Sequence, residues 1–451
     1  MTVFEALIPI IPIVIMIILI IITRRILECC IFALFLAYFL YSPANLLTNL
    51  SDGMFSTVQG PTFSFLIIAI GAMGIFIRLL IESGGTTGFA KYISKYVNNQ
   101  KKSLIATYIM GLIVFIDEYL NALVVTSSMR KLTDKYKTPR VMLACAVNAV
   151  GVPACIFVPI SIWAIYYIGL ITDSGILEGT GLTGFGMYVR TIPFMVYPWV
   201  FVILILMLFM GLFPKIGPMK TAYKRASELG DVFPESGCVG DLDEEIKEGH
   251  LAFFVIPMLS IIGITIFTED ICIAAIISSI LLGAMLVFSK KMKIKEVTDA
   301  AINGVKDMAY TLVLLFVVFT FAEISKDIGF VDFTVTATAT FMTAWLLPPF
   351  MFILSALLSQ VIGSFWATSA LLMPIVIELA VQLDVSMPLM MGVLISGAVF
   401  PATSSFTCES IVMSSQAAQV QPAEVGLANI VYGLIAAGIS TVLFLIIGII
   451  I

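Results

Sequence analysis

Residues 103–129, SLIATYIMGLIVFIDEYLNALVVTSSM, form an apolar run with two adjacent carboxylates, Asp117 and Glu118, near its middle and Asn121 one turn later. Lys101 and Lys102 precede the run, and Arg130, Lys131, Lys135, Lys137 and Arg140 follow it. A single spanning helix would set positive clusters on both faces of a membrane. It would also leave two charges at mid-depth, each costing about 2.5–3.5 kcal/mol on insertion scales. A re-entrant hairpin avoids both penalties, because its ends return to one face and its tip lies inside protein, where polar backbone is tolerated. The spacing therefore predicts a hairpin over 103–129 that opens to the cytoplasm and carries the carboxylates at its tip.

The chain around this run is 60% hydrophobic and 12% charged, with a mean hydropathy of +1.09. Soluble domains sit nearer half apolar and a quarter charged. With apolar runs of spanning length, this composition implies an all-α polytopic membrane protein surrounded by the lipid bilayer. Residues 1–22 carry Glu5 and lack a basic segment before the apolar stretch, which reads as a retained first helix. The seven cysteines show neither CxxC nor zinc-type spacing and read as small hydrophobes. The single histidine, His250, lies in a charged loop, and the sequence holds no GxxxxGK[ST], GxSxG or HExxH. We expect neither an enzyme nor a resident cofactor, and no nucleic-acid partner.

Apolar segments fall at about 4–23, 26–41, 62–81, 141–170 and 190–213, and again at about 251–267, 271–288, 307–325, 388–418 and 427–451. A longer, broken region lies between the third and fourth segment of each set: 103–129 in the first half, 349–382 in the second. The halves repeat in element order and length. Five spans per half is an odd number, so the repeats must be inverted relative to each other. The expected organisation is two inverted repeats of five transmembrane helices, 1–214 and 251–451, each with a re-entrant helical hairpin and a broken helix. A cytoplasmic linker, 215–250, joins them. With both termini outside, all but three (Arg78, Arg190 and Lys326) of the 24 Lys and Arg residues fall in cytoplasmic loops. The location expected is the cell (inner) membrane.

Inverted repeats with broken helices near mid-membrane mark secondary transporters, and four elements here carry that signal. At the first tip, two neighbouring carboxylates resist joint ionisation, so that one holds a proton until a cation displaces it. The plainer account makes Asp117 a helix cap and Glu118 a dipole partner. The segment 141–170 is too long for one straight span and has Gly151, Pro153 and Pro159 at its centre, so a break over 151–159 is expected. Asn148 and Ser161 would add side-chain oxygens to the carbonyls freed there. The second tip, GSFWATSALLMP over 363–374, offers Ser364 as a cap and Thr368 as a further hydroxyl. Hard oxygen ligands of this kind suit alkali cations, although Ser and Thr also serve plain helix packing. The last segment, 388–418, is interrupted by Gly397 and Pro401 and carries Thr403, Ser404, Ser405 and Glu409, which read as lining the pathway.

The string FIDEYLNALVVTSSMRKLTDKYKTPR followed by LACAVNAVGVPACIFVPISIW resembles the NhaC-type Na+/H+ antiporter family. Met129, Arg130, Thr133, Asp134, Lys137, Arg140 and Leu143 match one family string, and Pro159, Ile160, Ser161 and Trp163 match another. IGSFWATSALLMPI and SGAVFPATSSFTCESIVMSS are similar to the family's second hairpin and second broken helix. Pro401-Ala402 and Cys408-Glu409 stand where the family pattern carries aspartates. The resemblance implies the ion-transporter superfamily fold, often assembled as a homodimer. It also implies Na+ and H+ as the ions moved; on the residue chemistry above, Asp117, Asn121, Ser364 and Thr368 are the candidate Na+ ligands. The expected function is a Na+/H+ antiporter working by alternating access. The other reading is a Na+- or H+-coupled carrier of an amino acid or small carboxylate.

Overall fold

The computed structural model describes residues 8–450, apart from 24, 119–120, 178–180, 235–236, 238–248, 269, 331–332, 334–335, 337–341, 363–364 and 406–407. The described residues form helices and connections, with no strand among them. Helices α1 (Ile11–Thr23), α2 (Ile26–Tyr41), α3 (Leu46–Gln59) and α4 (Pro61–Glu82) come first. A short α5 (Gly85–Ser94) leads into α6 (Gln100–Ile113), a π turn over Asn121–Val125 and α7 (Thr126–Lys135). Next are α8 (Arg140–Phe157), α9 (Ile162–Asp173), α10 (Gly184–Thr191), α11 (Val196–Met210) and, in the linker, α12 (Gly217–Glu228). The second half holds α13 (Ala252–Thr268), α14 (Ile271–Phe288), α15 (Ile294–Asp307), α16 (Ala309–Asp327), α17 (Leu347–Ile362) and α18 (Phe365–Gln382). The chain ends with α19 (Met387–Ala398), α20 (Phe400–Ser404), α21 (Glu409–Ala418) and α22 (Pro422–Ile450).

This is a multi-pass membrane protein. By length and composition seven of the described helices can cross a membrane, or up to eight if the pair Gly184–Phe194 and Val196–Met210, bent by 50°, counts as one span. Several segments expected as full spans are shorter apolar helices, among them Ile8–Ile20, Leu27–Tyr41 and Ala252–Thr268. Helices α1 to α4 and α13 to α16 pack mainly among themselves, as do α6 to α8, α11 and α17 to α22. Helix α9 touches both groups, lying against α4 on one side and against α10 and α8 on the other.

The segment 100–135 folds back on itself. Gln100 donates from Nε2 to the carbonyls of Tyr136 (3.3 Å) and Lys137 (2.9 Å), and the Tyr136 hydroxyl donates to Val97 O (3.1 Å). The two ends of the segment therefore meet, and the basic residues that flank it in sequence share one end of the molecule. Arg140, at the start of α8, ties that end together. Its guanidinium holds Asp134 through two hydrogen bonds (2.8 and 3.2 Å) and reaches Ala418 O (3.3 Å) and Gln419 Oε1 (2.5 Å) past the end of α21. Its backbone N–H donates to Val232 O (2.9 Å), and the cation lies 4.1 Å from the centre of the Phe233 ring. Two residues earlier in the linker, the Phe233 N–H and the Arg225 guanidinium hold the Asp231 carboxyl below its ordinary range. A lowered carboxylate of this kind supports the docked linker above its unfolded value and stops doing so as pH falls through the folded one.

Helices α4 and α15 cross closely. A Cβ on Gly74 would lie 2.4 Å from Gly304 O, and one on Gly304 would lie 2.4 Å from Gly74 O. Small residues at a membrane-helix crossing let backbones approach, and the packing contacts so gained hold the pair. Gly304→Ala is therefore expected to force the helices apart and cost about 1–3 kcal/mol. Thermal unfolding in detergent would read this as a lower midpoint, whereas Gly263→Ala, where a Cβ meets nothing within 4 Å, should leave the midpoint in place.

Candidate functional site

Helix α6 ends at Ile113, and Val114 leaves helical geometry with φ −87° and ψ 59°. Hydrogen bonding resumes where Asn121 N–H donates to Asp117 O (3.0 Å). Between these points sit the two carboxylates, Asp117 at 3% and Glu118 at 2% exposure. Asn121 is fully buried, and its Nδ2 donates to Gly111 O (2.6 Å) and Val114 O (2.8 Å). These are carbonyls that the end of α6 leaves without helical donors, so the amide nitrogen caps the helix. The other end of the carboxamide, Oδ1, has no hydrogen-bond partner. A buried acceptor left so costs about 1–3 kcal/mol, which a bound cation would recover. Gly151 of α8 lies against this group: a Cβ there would sit 3.2 Å from both Asn121 Oδ1 and Cγ.

The tip docks on the first interruption of the 141–170 segment. Helix α8 runs through Gly151 and Pro153 to Phe157, and the chain leaves helical geometry over 158–161, later than the centre of the 151–159 window. The cause is Pro159. A residue before proline is pushed out of the α region, and Val158 is extended (φ −94°, ψ 113°). Pro153 inside α8 removes a helical donor without ending the helix. Ser161 then caps α9, its Oγ accepting from Ala164 N–H (3.0 Å) and donating to Cys155 O. Across this break Ile162 N–H donates to Ile116 O (3.2 Å), and the Trp163 indole N–H donates to Glu118 Oε2 (2.5 Å).

The start of α18 meets the same helix. Ser364 lies outside the described residues. Phe365 and Trp366, which open α18, pack on Trp163 with ring centres 3.7 Å and 5.3 Å away. Thr368 and Ser369 are buried in the first turn of α18; the Tyr167 hydroxyl hydrogen-bonds Ser369 Oγ (2.8 Å), and the Tyr166 hydroxyl donates to Trp366 O. Thus Asp117, Glu118, Asn121, Ser161 and Thr368 lie on elements that meet at α9.

Of the remaining sequence-read residues, Asn148, Thr403 and Ser404 serve other contacts. Asn148 donates from Nδ2 to Ser414 Oγ (2.6 Å) and ties α8 to α21. Thr403 and Ser404 donate to Phe400 O (2.9 and 2.7 Å), and Thr403 also bonds the Tyr197 hydroxyl (2.5 Å). Ser405 is buried just beyond α20, where the chain again leaves helical geometry, and Glu409 opens α21. Gly397 lies one residue before the end of α19 and Pro401 in the first turn of α20, so the chain is interrupted after both. Of the seven cysteines Cys238 lies outside the described residues; the other six form no disulfide among the described residues, and five of them are buried.

Sequence reading did not single out Tyr166, Tyr167 or Ser414 and met Trp163 only inside a family string. The available signal was the spacing of Trp163, Tyr166 and Tyr167, which places three aromatics on one helical face immediately after a proline break. A cavity of about 500 Å³ opens between α3, α4 and α16 on one side and α9 and α18 on the other. Asp173, Glu323, Glu378 and Lys326 line it, and it reaches Ala370, two residues beyond Thr368.

The family model described as the Na+/H+ antiporter family matches residues 154–449. An uncharacterized protein of Haemophilus influenzae is 20% identical over 418 residues, covering 85% of this chain and 78% of that protein. The fold is similar to that of the YdaH transporter of Alcanivorax borkumensis, with a TM-score of 0.63, 14% identity and 89% of each chain covered. It is also similar to MtrF of Neisseria gonorrhoeae, described with a class of antimetabolite efflux pumps. There the TM-score is 0.55 at 14% identity, covering 89% of this chain and 83% of that one.

Proposed function

The chain belongs to the Na+/H+ antiporter family and is a secondary transporter, and we propose that it exchanges Na+ for H+ at the first hairpin tip by alternating access. The observation that carries this reading is the pair of buried carboxylates, Asp117 and Glu118, set where two helix interruptions meet. Buried acids in a membrane protein are costly and mark ion or proton paths. Asp117 and Asn121 Oδ1 supply hard oxygens from the first tip, and Thr368 with Ser364 supply hydroxyls from the second. Glu118 carries the exchanged proton. The acid-lined cavity beside α18 gathers cations, since a cleft of one predominant sign raises their local concentration.

The same reading assigns the architecture. Residues 1–214 and 251–451 form two inverted repeats, 215–250 is a cytoplasmic linker, both termini lie outside the cell membrane, and two copies assemble as a homodimer. Helices α1 to α4 and α13 to α16 form the static layer, and the hairpin-bearing helices move against it. The chemistry is ion exchange, with no covalent step and no resident cofactor.

One shared site makes Na+ and H+ competitors. Where protonation dominates the free site, each drop of one pH unit should raise half-saturating Na+ by about tenfold, the reciprocal linkage of two ligands that exclude each other. Half-saturation measured at three pH values in proteoliposomes checks this. A Na+ dependence unmoved by pH would show that the two ions do not share a site.

A further inference from the structure

We propose that the linker helix α12 and the start of α22 form a binding site for a phospholipid whose headgroup joins a phosphate to a primary ammonium, the ethanolamine class. A cavity of about 580 Å³ lies between α12, Val141 at the start of α8 and the first two turns of α22, and Lys224, Glu228, Leu229, Glu424 and Leu427 line it. Three contacts fix its walls. Ile216 N–H donates to the Tyr432 hydroxyl (3.0 Å), the Lys215 ammonium lies 3.4 Å from the centre of the Tyr223 ring, and Arg225 holds Asp231 (2.7 Å). The cavity also sits at the depth of a headgroup. Helix α22 has 29 residues, and residues 430–450 carry no charge. At about 1.5 Å per residue that uncharged part fills a hydrocarbon core of about 30 Å. The earlier turns, with Glu424 and Leu427, therefore stand at the polar boundary.

The polar groups around the cavity define the headgroup. Glu424 Oε2 is enclosed and has no hydrogen-bond partner among the described residues, and a buried acceptor left so is costly. Lys224 lies one turn before Glu228 on α12, yet neither of them, nor Glu424, makes an ion pair among the described residues. Arg225 is taken by Asp231. One lysine and two carboxylates thus line a single cavity. An anion alone would meet an excess of negative charge, and a cation alone would leave Lys224 without a partner. A phosphate on Lys224 with a primary ammonium reaching Glu424 serves both ends. That ammonium carries three N–H donors, as the lysine ammonium does, whereas a choline headgroup carries none and leaves Oε2 unpaired. Leu427 and Leu229, 49% and 75% exposed, supply apolar surface for acyl chains to cover. This surface and the depth of the cavity favour a lipid over a soluble amino-phosphate. A lipid seated here bridges α12, α8 and α22.

The test uses the full-length protein, stripped of lipid in detergent, with native mass spectrometry reading the binding of added phospholipids that share the same acyl chains. Phosphatidylethanolamine is expected to bind about tenfold tighter than phosphatidylcholine, the worth of one charge-assisted hydrogen bond, and tighter than phosphatidylglycerol. Glu424→Gln should bring the ethanolamine and choline lipids level. Lys224→Ala should weaken both to the same degree, since both carry the phosphate, and leave their ratio in place. Equal binding of the two lipids by the native protein, an ethanolamine preference that survives Glu424→Gln, or a Lys224→Ala protein that binds as the native one does overturns the site. Tightest binding of the glycerol lipid overturns it as well, because the lysine alone would then select. Phosphoethanolamine without acyl chains that competes as well as the lipid would make the occupant soluble and overturn the lipid assignment. Should Glu424→Gln not fold, the native protein decides: the N,N-dimethyl lipid, which keeps one N–H, should bind tighter than the choline lipid, and equality between them overturns the site.

Discussion

Replacing Asp117 with Asn and Glu118 with Gln is expected to reduce Na+-driven proton movement by about 100-fold or more, a loss of about 2.7 kcal/mol of barrier lowering, without lowering the thermal midpoint. The two halves of this expectation come from the same burial. Both side chains are almost fully enclosed, and an ionised acid at membrane depth is penalised by about 2.5–3.5 kcal/mol on insertion scales. The amides carry no such charge cost, and the amide oxygen that Glu118→Gln leaves in place can still accept from the Trp163 indole. Sites kept for function at the expense of stability respond in this way. Transport in proteoliposomes and thermal unfolding in detergent would be measured on one preparation. Loss of transport together with a large fall in midpoint would instead make the acids structural, as a helix cap and a dipole partner.

Arg140→Ala is expected to act in the opposite sense, destabilising the whole end of the molecule where α8, α21 and Phe233 meet. Its guanidinium is 10% exposed and pairs with an Asp134 carboxylate that is 25% exposed. Removing one partner of a buried pair costs about 3–5 kcal/mol, and the partial exposure of Asp134 places this one near the lower end of that range. The same substitution strips donors from Ala418 O and Gln419 Oε1 and the cation from Phe233. Arg130, whose Nη1 donates to Ala417 O (3.2 Å), remains to hold the end of α21, so the chain should still fold. Arg140→Lys keeps the charge and loses the planar fork, and should fall between. The midpoint of thermal unfolding orders the three proteins. An Arg140→Ala midpoint equal to that of the native protein would mean that the contacts at this end contribute nothing net.

Much of the architecture was legible in the residues. Basic clusters on both sides of one apolar run with acids inside it argued for a turn back, and Gln100 and Tyr136 close that turn. The membrane class followed from apolar composition together with apolar runs of spanning length. Helix boundaries were less accessible. Gly151, Pro153 and Pro159 all resemble breakers in sequence, yet only the last stops the helix. Gly151 is needed for closeness to Asn121, a long-range fact that a local pattern does not contain. The site was legible as a set of acids and amides, whereas its partners were not. Asn121 divides its two ends between a helix cap and an unpaired oxygen. Thr403 and Ser404 commit their hydroxyls to Phe400, Tyr197 and Gln360. Trp163 reads as one more apolar residue until the fold sets it between Glu118 and Phe365, because which side chains face each other across helices far apart in sequence is decided by packing.

The most direct measurement is Na+-triggered proton movement in proteoliposomes with no organic solute present. A Na+ pulse outside should drive protons out and make the lumen more alkaline, and the response should vanish in Asp117→Asn. A silent lumen in verified, folded vesicles, with ion-coupled movement of an amino acid or small carboxylate in its place, would contradict cation exchange at the first hairpin tip.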